Sequence, residues 1–106
     1  MTRTYTYFWA FKVLPEHVDA FRREYGEGGA WTQLFRRAPG YLGTQLLQDR
    51  TDPLRFITID TWRSAEDYEA FRAAYTSDYA ALDRLCEGWT LEETLIGHFV
   101  STGAVS

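Results

Sequence analysis

The segment Pro15-Glu-His-Val-Asp-Ala-Phe-Arg-Arg-Glu-Tyr25 lies over Ala65-Glu-Asp-Tyr-Glu-Ala-Phe-Arg-Ala-Ala-Tyr75 at an offset of fifty residues. The two copies are identical at Glu16/Glu66, Ala20/Ala70, Phe21/Phe71, Arg22/Arg72 and Tyr25/Tyr75. A run of β-formers precedes each copy, Thr4 to Val13 and Arg55 to Trp62, and a second strand-like run follows each, Tyr41 to Asp49 and Thr94 to Val100. A doubled strand–helix–strand unit predicts the split βαβ, ferredoxin-like α+β plan with an antiparallel sheet. Two copies are too few for a solenoid. Chance similarity between two amphipathic helices is the competing account.

A chain of 106 residues reads as one domain, residues 1–106, which buries roughly two-thirds of the surface exposed by its unfolded chain. The single Cys86 makes no internal disulfide, and no Cys/His cluster has zinc spacing, so a reducing compartment and no metal are expected. Met1-Thr-Arg-Thr-Tyr5 passes straight into a strand without a charged and then apolar leader, and no apolar run approaches the roughly 20 residues that span a bilayer. A cytoplasmic protein without membrane contact is the expectation. Net charge is −4, with arginines set beside acids as in Arg22-Arg23-Glu24 and Asp83-Arg84. That pattern excludes a phosphate-tracking stripe, and nucleic acid is not an expected partner.

Period-two alternation in the first strand puts Tyr5, Tyr7, Trp9, Phe11 and Val13 on one face and Thr4, Thr6, Phe8, Ala10 and Lys12 on the other. Pro15 and Glu16 suit the first turn of a helix over residues 15–25, which Gly26-Glu-Gly-Gly29 stops. Trp31, Leu34 and Phe35 mark a short apolar turn before Pro39-Gly40, an insert without counterpart in a minimal split βαβ. Ser64 with Asp67 resembles a capping box opening the second helix. Tyr79, Leu82, Leu85 and Cys86 carry a further helix until Gly88. In the third strand Phe56, Thr58, Asp60 and Trp62 alternate with Ile57, Ile59 and Thr61, so both faces of the sheet hold apolar residues. Helices can cover one face only, and the other is too apolar to leave wet, so a second copy stacked sheet on sheet is expected: a homodimer. The competing reading is a monomer that tolerates isolated exposed rings.

The chain lacks a dinucleotide fingerprint, a phosphate loop and a nucleophile elbow. His17 reads as a surface residue on the first helical turn. His98, beside Phe99 in the last strand, needs a partner if buried and titrates near neutrality. Asp60 lies two residues before Trp62 and on its face, where burial would raise its pKa and make it a candidate base. An ion pair with Arg36, Arg37 or Arg63, or exposure at the strand end, would make it structural instead.

Trp62 followed by Arg63-Ser-Ala-Glu-Asp-Tyr-Glu-Ala-Phe71 resembles the W-x-S-x-E-x-Y/F-x-A-[HF] signature of the antibiotic biosynthesis monooxygenase family, a branch of the dimeric α+β barrel superfamily. Phe35-Arg-Arg-Ala-Pro-Gly-Tyr-Leu-Gly43 resembles that family's segment before the second strand. The resemblance implies a dimeric α+β barrel with Trp62 in a cavity between sheet and helices. It implies oxidation of aromatic polyketide intermediates by molecular oxygen without metal or flavin. Haem-degrading members need a His where this chain has Phe71, followed by Arg72, and an Asn on the first strand, where this chain has Tyr and Trp. Haem, and any other cofactor, is therefore not expected.

An electron-rich phenol or enol reduces oxygen itself once deprotonated, so such a protein need only hold a planar substrate, favour its anion and exclude water. The catalytic candidates are Trp62, Asp60 and His98, with Asp60 or His98 removing the proton. Tyr7, Trp9, Trp31, Phe35, Tyr68 and Phe71 are the substrate-binding candidates, and Arg36 is a candidate to steady the anion. Rings at such spacings also serve as plain core. Three readings follow: a cofactor-independent monooxygenase acting on a small aromatic, polyketide-like molecule with O2; a polyketide cyclase or isomerase using the same pocket without oxygen; and a non-catalytic dimeric binding protein.

Overall fold

The fifty-residue offset survives in three dimensions. In a computed structural model that describes residues 3–102, β1 (Tyr5–Val13) and β3 (Arg55–Trp62) are the two central strands of one sheet. They pair antiparallel from Tyr5 opposite Trp62 to Lys12 opposite Arg55. Strand β2 (Tyr41–Gln48) flanks β3, and β4 (Thr90–Val100) flanks β1, giving the order β2-β3-β1-β4. This is the antiparallel, ferredoxin-like α+β sheet that the doubled unit predicts.

Glycines and one side-chain cap set several of the helix ends, and the start of the first helix departs from expectation. Pro15–His17 forms a single tight 3-10 turn rather than the first turn of the expected helix, and α1 proper spans Val18–Tyr25. Gly29 then allows close approach, because a Cβ there would lie 2.3 Å from the Arg23 carbonyl oxygen. The chain restarts at once as α2 (Ala30–Phe35). Ser64 caps α3 (Ala65–Ala74) by accepting the Asp67 N–H at 3.1 Å. Gly40, at φ +94°, sits so close to this turn that a Cβ would meet Asp67 Oδ2 at 2.5 Å. A fourth helix, α4 (Thr76–Cys86), follows α3 with one residue between them. No helix among the described residues is long and apolar enough to cross a membrane.

Two strand ends differ from expectation. Strand β4 starts at Thr90, not Thr94, because Thr90, Glu92 and Glu93 pair with Val13, Lys12 and Phe11 across a register shift. Strand β2 stops at Gln48 because the Asp49 carboxylate turns back to accept the Thr51 and Asp52 N–H groups at 2.8 and 3.1 Å.

The core fills the space between sheet and helices with rings. Trp62, Phe21, Phe56 and Phe71 are fully buried. Phe21 stacks on Tyr25 at 4.1 Å between ring centroids, and Trp62 meets Phe71 at 5.1 Å and Phe35 at 5.7 Å. Full burial of such a side chain contributes about 1.5–3 kcal/mol, and edge or offset ring pairs add about 0.5–1.5 kcal/mol each. The opposite sheet face carries Phe8, Ile57 and Ile59, which are half-buried. Leu47, Ile96 and Phe99 beside them are 49%, 50% and 52% exposed.

Candidate functional site

A cavity of about 190 Å³ opens between the sheet and the helix layer. The sheet supplies Tyr7, Trp9 and Phe11 from β1, Thr44 from β2, Thr58 and Asp60 from β3, and Glu93 from β4. The helices supply Tyr25, Trp31 and Phe35 from α1 and α2, and Tyr79 and Asp83 from α4. Alternation of side chains along β1 and β3 explains why Tyr7, Trp9, Phe11, Thr58 and Asp60 share one face.

Asp60 is the polar centre of this floor. It is 5% exposed, and among the described residues no Lys, Arg or His pairs with it. The ion-pair alternatives with Arg36, Arg37 and Arg63 are therefore not realised: Arg37 pairs with Asp78 and Arg63 with Asp67. Its partner is Thr44, directly opposite in the β2–β3 register, whose hydroxyl donates to Asp60 Oδ1. The Tyr41 and Thr44 hydroxyls are hydrogen-bonded in turn. With the Thr44 proton committed to Asp60, the line runs Tyr41 to Thr44 to Asp60. Burial pushes the Asp60 carboxyl up to about 6, and the Thr44 hydrogen bond pulls the other way. Burial also raises Tyr7 above the ordinary phenol value, with the Asp60 charge reinforcing it, and raises Tyr79 to about 12. Both phenols are neutral at physiological pH.

Tyr7, Trp9, Trp31, Phe35 and Asp60 come together as lining residues; the other candidates stand elsewhere. Trp62 is fully buried behind the lining and reaches it through Tyr7, whose hydroxyl accepts the Trp62 Nε1–H at 3.3 Å. Phe71 packs against Trp62 and Phe35 as core. Tyr68 lies between Tyr5 and Tyr7 and takes a hydrogen bond from Arg72 at 3.0 Å. His98 is exposed on the edge strand, with Nδ1 3.0 Å from the Tyr5 hydroxyl. Its position opposite Tyr7 in the register does not carry it into the cavity, because β4 has no outer neighbour to cover it. Arg36 is exposed at the end of α2 and affects the site only through its charge on Tyr41. His17 stacks on Trp89.

Sequence reasoning missed Phe11, Tyr25, Thr44, Thr58, Tyr79, Asp83 and Glu93 as lining residues. Thr44 had no signal short of the β2–β3 register, in which a shift between Tyr41 and Gly43 sets it opposite Asp60. Tyr79 and Asp83 lie four residues apart on α4, so one helix face carries both.

The family model for antibiotic biosynthesis monooxygenase matches residues 5–78. Among curated proteins none matches the sequence significantly. Similar solved structures include PA3566 from Pseudomonas aeruginosa, 23% identical over 97% of this chain and 98% of that one, with a TM-score of 0.70. SnoaB, a cofactor-independent oxygenase from Streptomyces nogalater, is 18% identical over 99% of this chain and 97% of its own, with a TM-score of 0.66. At these identities the likeness is one of fold.

Proposed function

The chain belongs to the antibiotic biosynthesis monooxygenase family, and from that premise we propose that it is a cofactor-independent monooxygenase oxidising an aromatic, polyketide-like phenol or enol with O2. The observation that carries this reading is the ring-walled cavity with one buried, unpaired carboxylate on its floor. With a pKa of about 6, Asp60 is largely ionised at pH 7 and able to accept a proton, which suits a general base. Tyr7, Trp9, Trp31 and Phe35 sandwich a planar substrate. The substrate O–H proton passes to Asp60, and the electron-rich anion reduces oxygen. The balance closes without an outside reductant: a ring CH2 plus O2 gives C=O plus H2O.

Trp62 and Phe71 take supporting roles in this proposal. They hold Tyr7 and Phe35 in place rather than touching substrate. The SnoaB description as a cofactor-independent oxygenase supports the reaction class. We assign the 106 residues to one domain, working in the cytoplasm as a homodimer of α+β barrel form. The apolar outer face of Phe8, Leu47, Ile59, Ile96 and Phe99 supports a second sheet stacked about 10 Å away.

Oxygen uptake with 1,8-dihydroxyanthrone as probe tests the reading. Catalysed uptake that Asp60→Asn abolishes is the expected result. Turnover persisting without oxygen would assign a cyclase or isomerase on the same base, and binding without turnover would assign a binding protein.

A further inference from the structure

The buried carboxylate is held from one side by a strand that breaks its own register. In β2, Tyr41 lies opposite Trp62 and Gly43 opposite Thr61, so Leu42 is an extra residue without a partner on β3. Tyr41 and Thr44 are three positions apart and in a regular strand would face opposite sides of the sheet. The bulge turns both toward the helix layer. There Tyr41 packs on Trp62 at 5.4 Å and on Phe35 at 5.5 Å between ring centroids, and Thr44 lines the cavity. Bulges re-aim side chains in this way beside functional sites.

The two oxygens of Asp60 are thereby made unequal. The Tyr41 hydroxyl, 2.5 Å from Thr44 Oγ1, donates to it, and Thr44 donates to Asp60 Oδ1. Thr44 carries a single hydroxyl proton, and with Tyr41 occupying a lone pair of its oxygen that proton stays directed at Oδ1. Hydroxyls in a chain polarise one another, which strengthens the last bond. Oδ2 accepts no hydrogen bond among the described residues, yet the buried side-chain atom there that lacks a partner is Trp31 Nε1. Oδ2 therefore keeps surface open on the cavity that Asp60 lines. The other titratable groups of the wall are Tyr7, Tyr25 and Tyr79, which burial keeps neutral, and Asp83 and Glu93, which are exposed.

We propose that Thr44, backed by Tyr41, is a positioning residue that makes Asp60 act through Oδ2 alone, first as base and then as acid on the same substrate. The enol O–H bond breaks as the Oδ2–H bond forms, and the electron pair stays with the substrate. The enolate carbon adds O2, and the resulting peroxide anion takes the proton back from Oδ2. Loss of water from the hydroperoxide leaves C=O, so Asp60 ends the cycle ionised. A proton on Oδ1 would face β2 instead of the substrate, and the fixed Thr44 donor keeps it off that oxygen. The sequence of steps rests on the oxygenase reading; the hold on Asp60 does not.

Carbon-13 shifts of the side-chain carboxyls, followed against pH, report the Asp60 titration without substrate or oxygen. Thr44→Val keeps the shape and removes the hydroxyl, and it should raise that titration by about one pH unit, the size of one hydrogen bond to a charged group. Tyr41→Phe should raise it by less, and Thr44→Ser should return it toward the parent. Oxygen uptake with 1,8-dihydroxyanthrone is then compared at about pH 8.5, where Asp60 is ionised in every variant. There Thr44→Val should lower kcat about tenfold with KM little changed, because the base is misaligned, and Thr44→Ser should recover most of the rate. An unmoved titration in Thr44→Val, or equal kcat in the valine and serine variants, would overturn the inference. Tyr41→Phe leaves Thr44 in place and carries the titration test whether or not the valine variant folds; no shift in it would remove Tyr41 from the chain. A shifted titration in Thr44→Val while the parent takes up no oxygen would overturn the oxygenase reading and leave Thr44 as the residue that positions Asp60.

Discussion

Replacing Asp60 with asparagine keeps an acceptor for the Thr44 hydroxyl while removing a buried charge, so the variant should be more stable than the parent at pH 8 and equal to it near pH 4. The folded-state value of about 6 lies above the 3.8 of an ordinary aspartate. The folded protein therefore binds this proton more tightly than the unfolded chain does. The resulting stability is complete below about pH 4 and is lost as pH rises through about 6. The gap, at 1.36 kcal/mol per decade of proton affinity, amounts to about 3 kcal/mol. Asp49, Asp52 and Asp67 are shifted downward and favour folding at higher pH, but they are common to both proteins and cancel in the difference. Urea unfolding followed by tryptophan fluorescence between pH 4 and 8, at one protomer concentration, measures it. With a slope of about 1–3 kcal/mol/M, the midpoint separation at pH 8 should be about 1–3 M and should close toward pH 4. Parallel curves for parent and variant across that range would refute the account of Asp60 as a desolvated carboxylate.

If Asp60 is the base, kcat/KM for the oxygenase probe should rise with pH through about 6 as the carboxyl ionises, and a flat profile there would remove it from that role. Phe71→Ala should cost about 3–5 kcal/mol in urea unfolding, because the ring is 1% exposed and contacts Trp62, Phe35 and Tyr75. Ser64→Ala should cost about 1 kcal/mol through loss of the cap on α3. Leu47→Glu, on the exposed outer sheet face, should convert a dimer to monomer in sedimentation velocity; a lone protomer for both proteins would refute sheet-on-sheet association.

The fold was legible because its signals are local and doubled. Strand alternation, Ser64 and Asp67 before α3, and the glycines after α1 each act within a few residues, and the second copy repeats the first. The chemistry was less legible because it depends on register and on edges. Asp60 could be flagged as a charge in an apolar strand, but its Thr44 partner comes from pairing between β2 and β3. His98 and Tyr7 both alternate with apolar residues, yet one is on an edge strand and exposed while the other is central and buried. Arg36 follows the buried Phe35 directly, and one helical step turns it outward.

The hydrogen bond between Tyr5 and His98 joins residues 93 positions apart, and that separation governs how the molecule comes into being. The ribosome delivers β1 well before β4, the strand that completes its pairing. A nascent chain emerging with β1 and β3 docked still offers the open flank of β1 to its surroundings. Contacts this remote in sequence slow the search for the native state, and the waiting strand is a target for chaperones or for a neighbouring polysome's product. Yield of active protein should therefore depend on translation rate and growth temperature more steeply than the native stability alone would suggest.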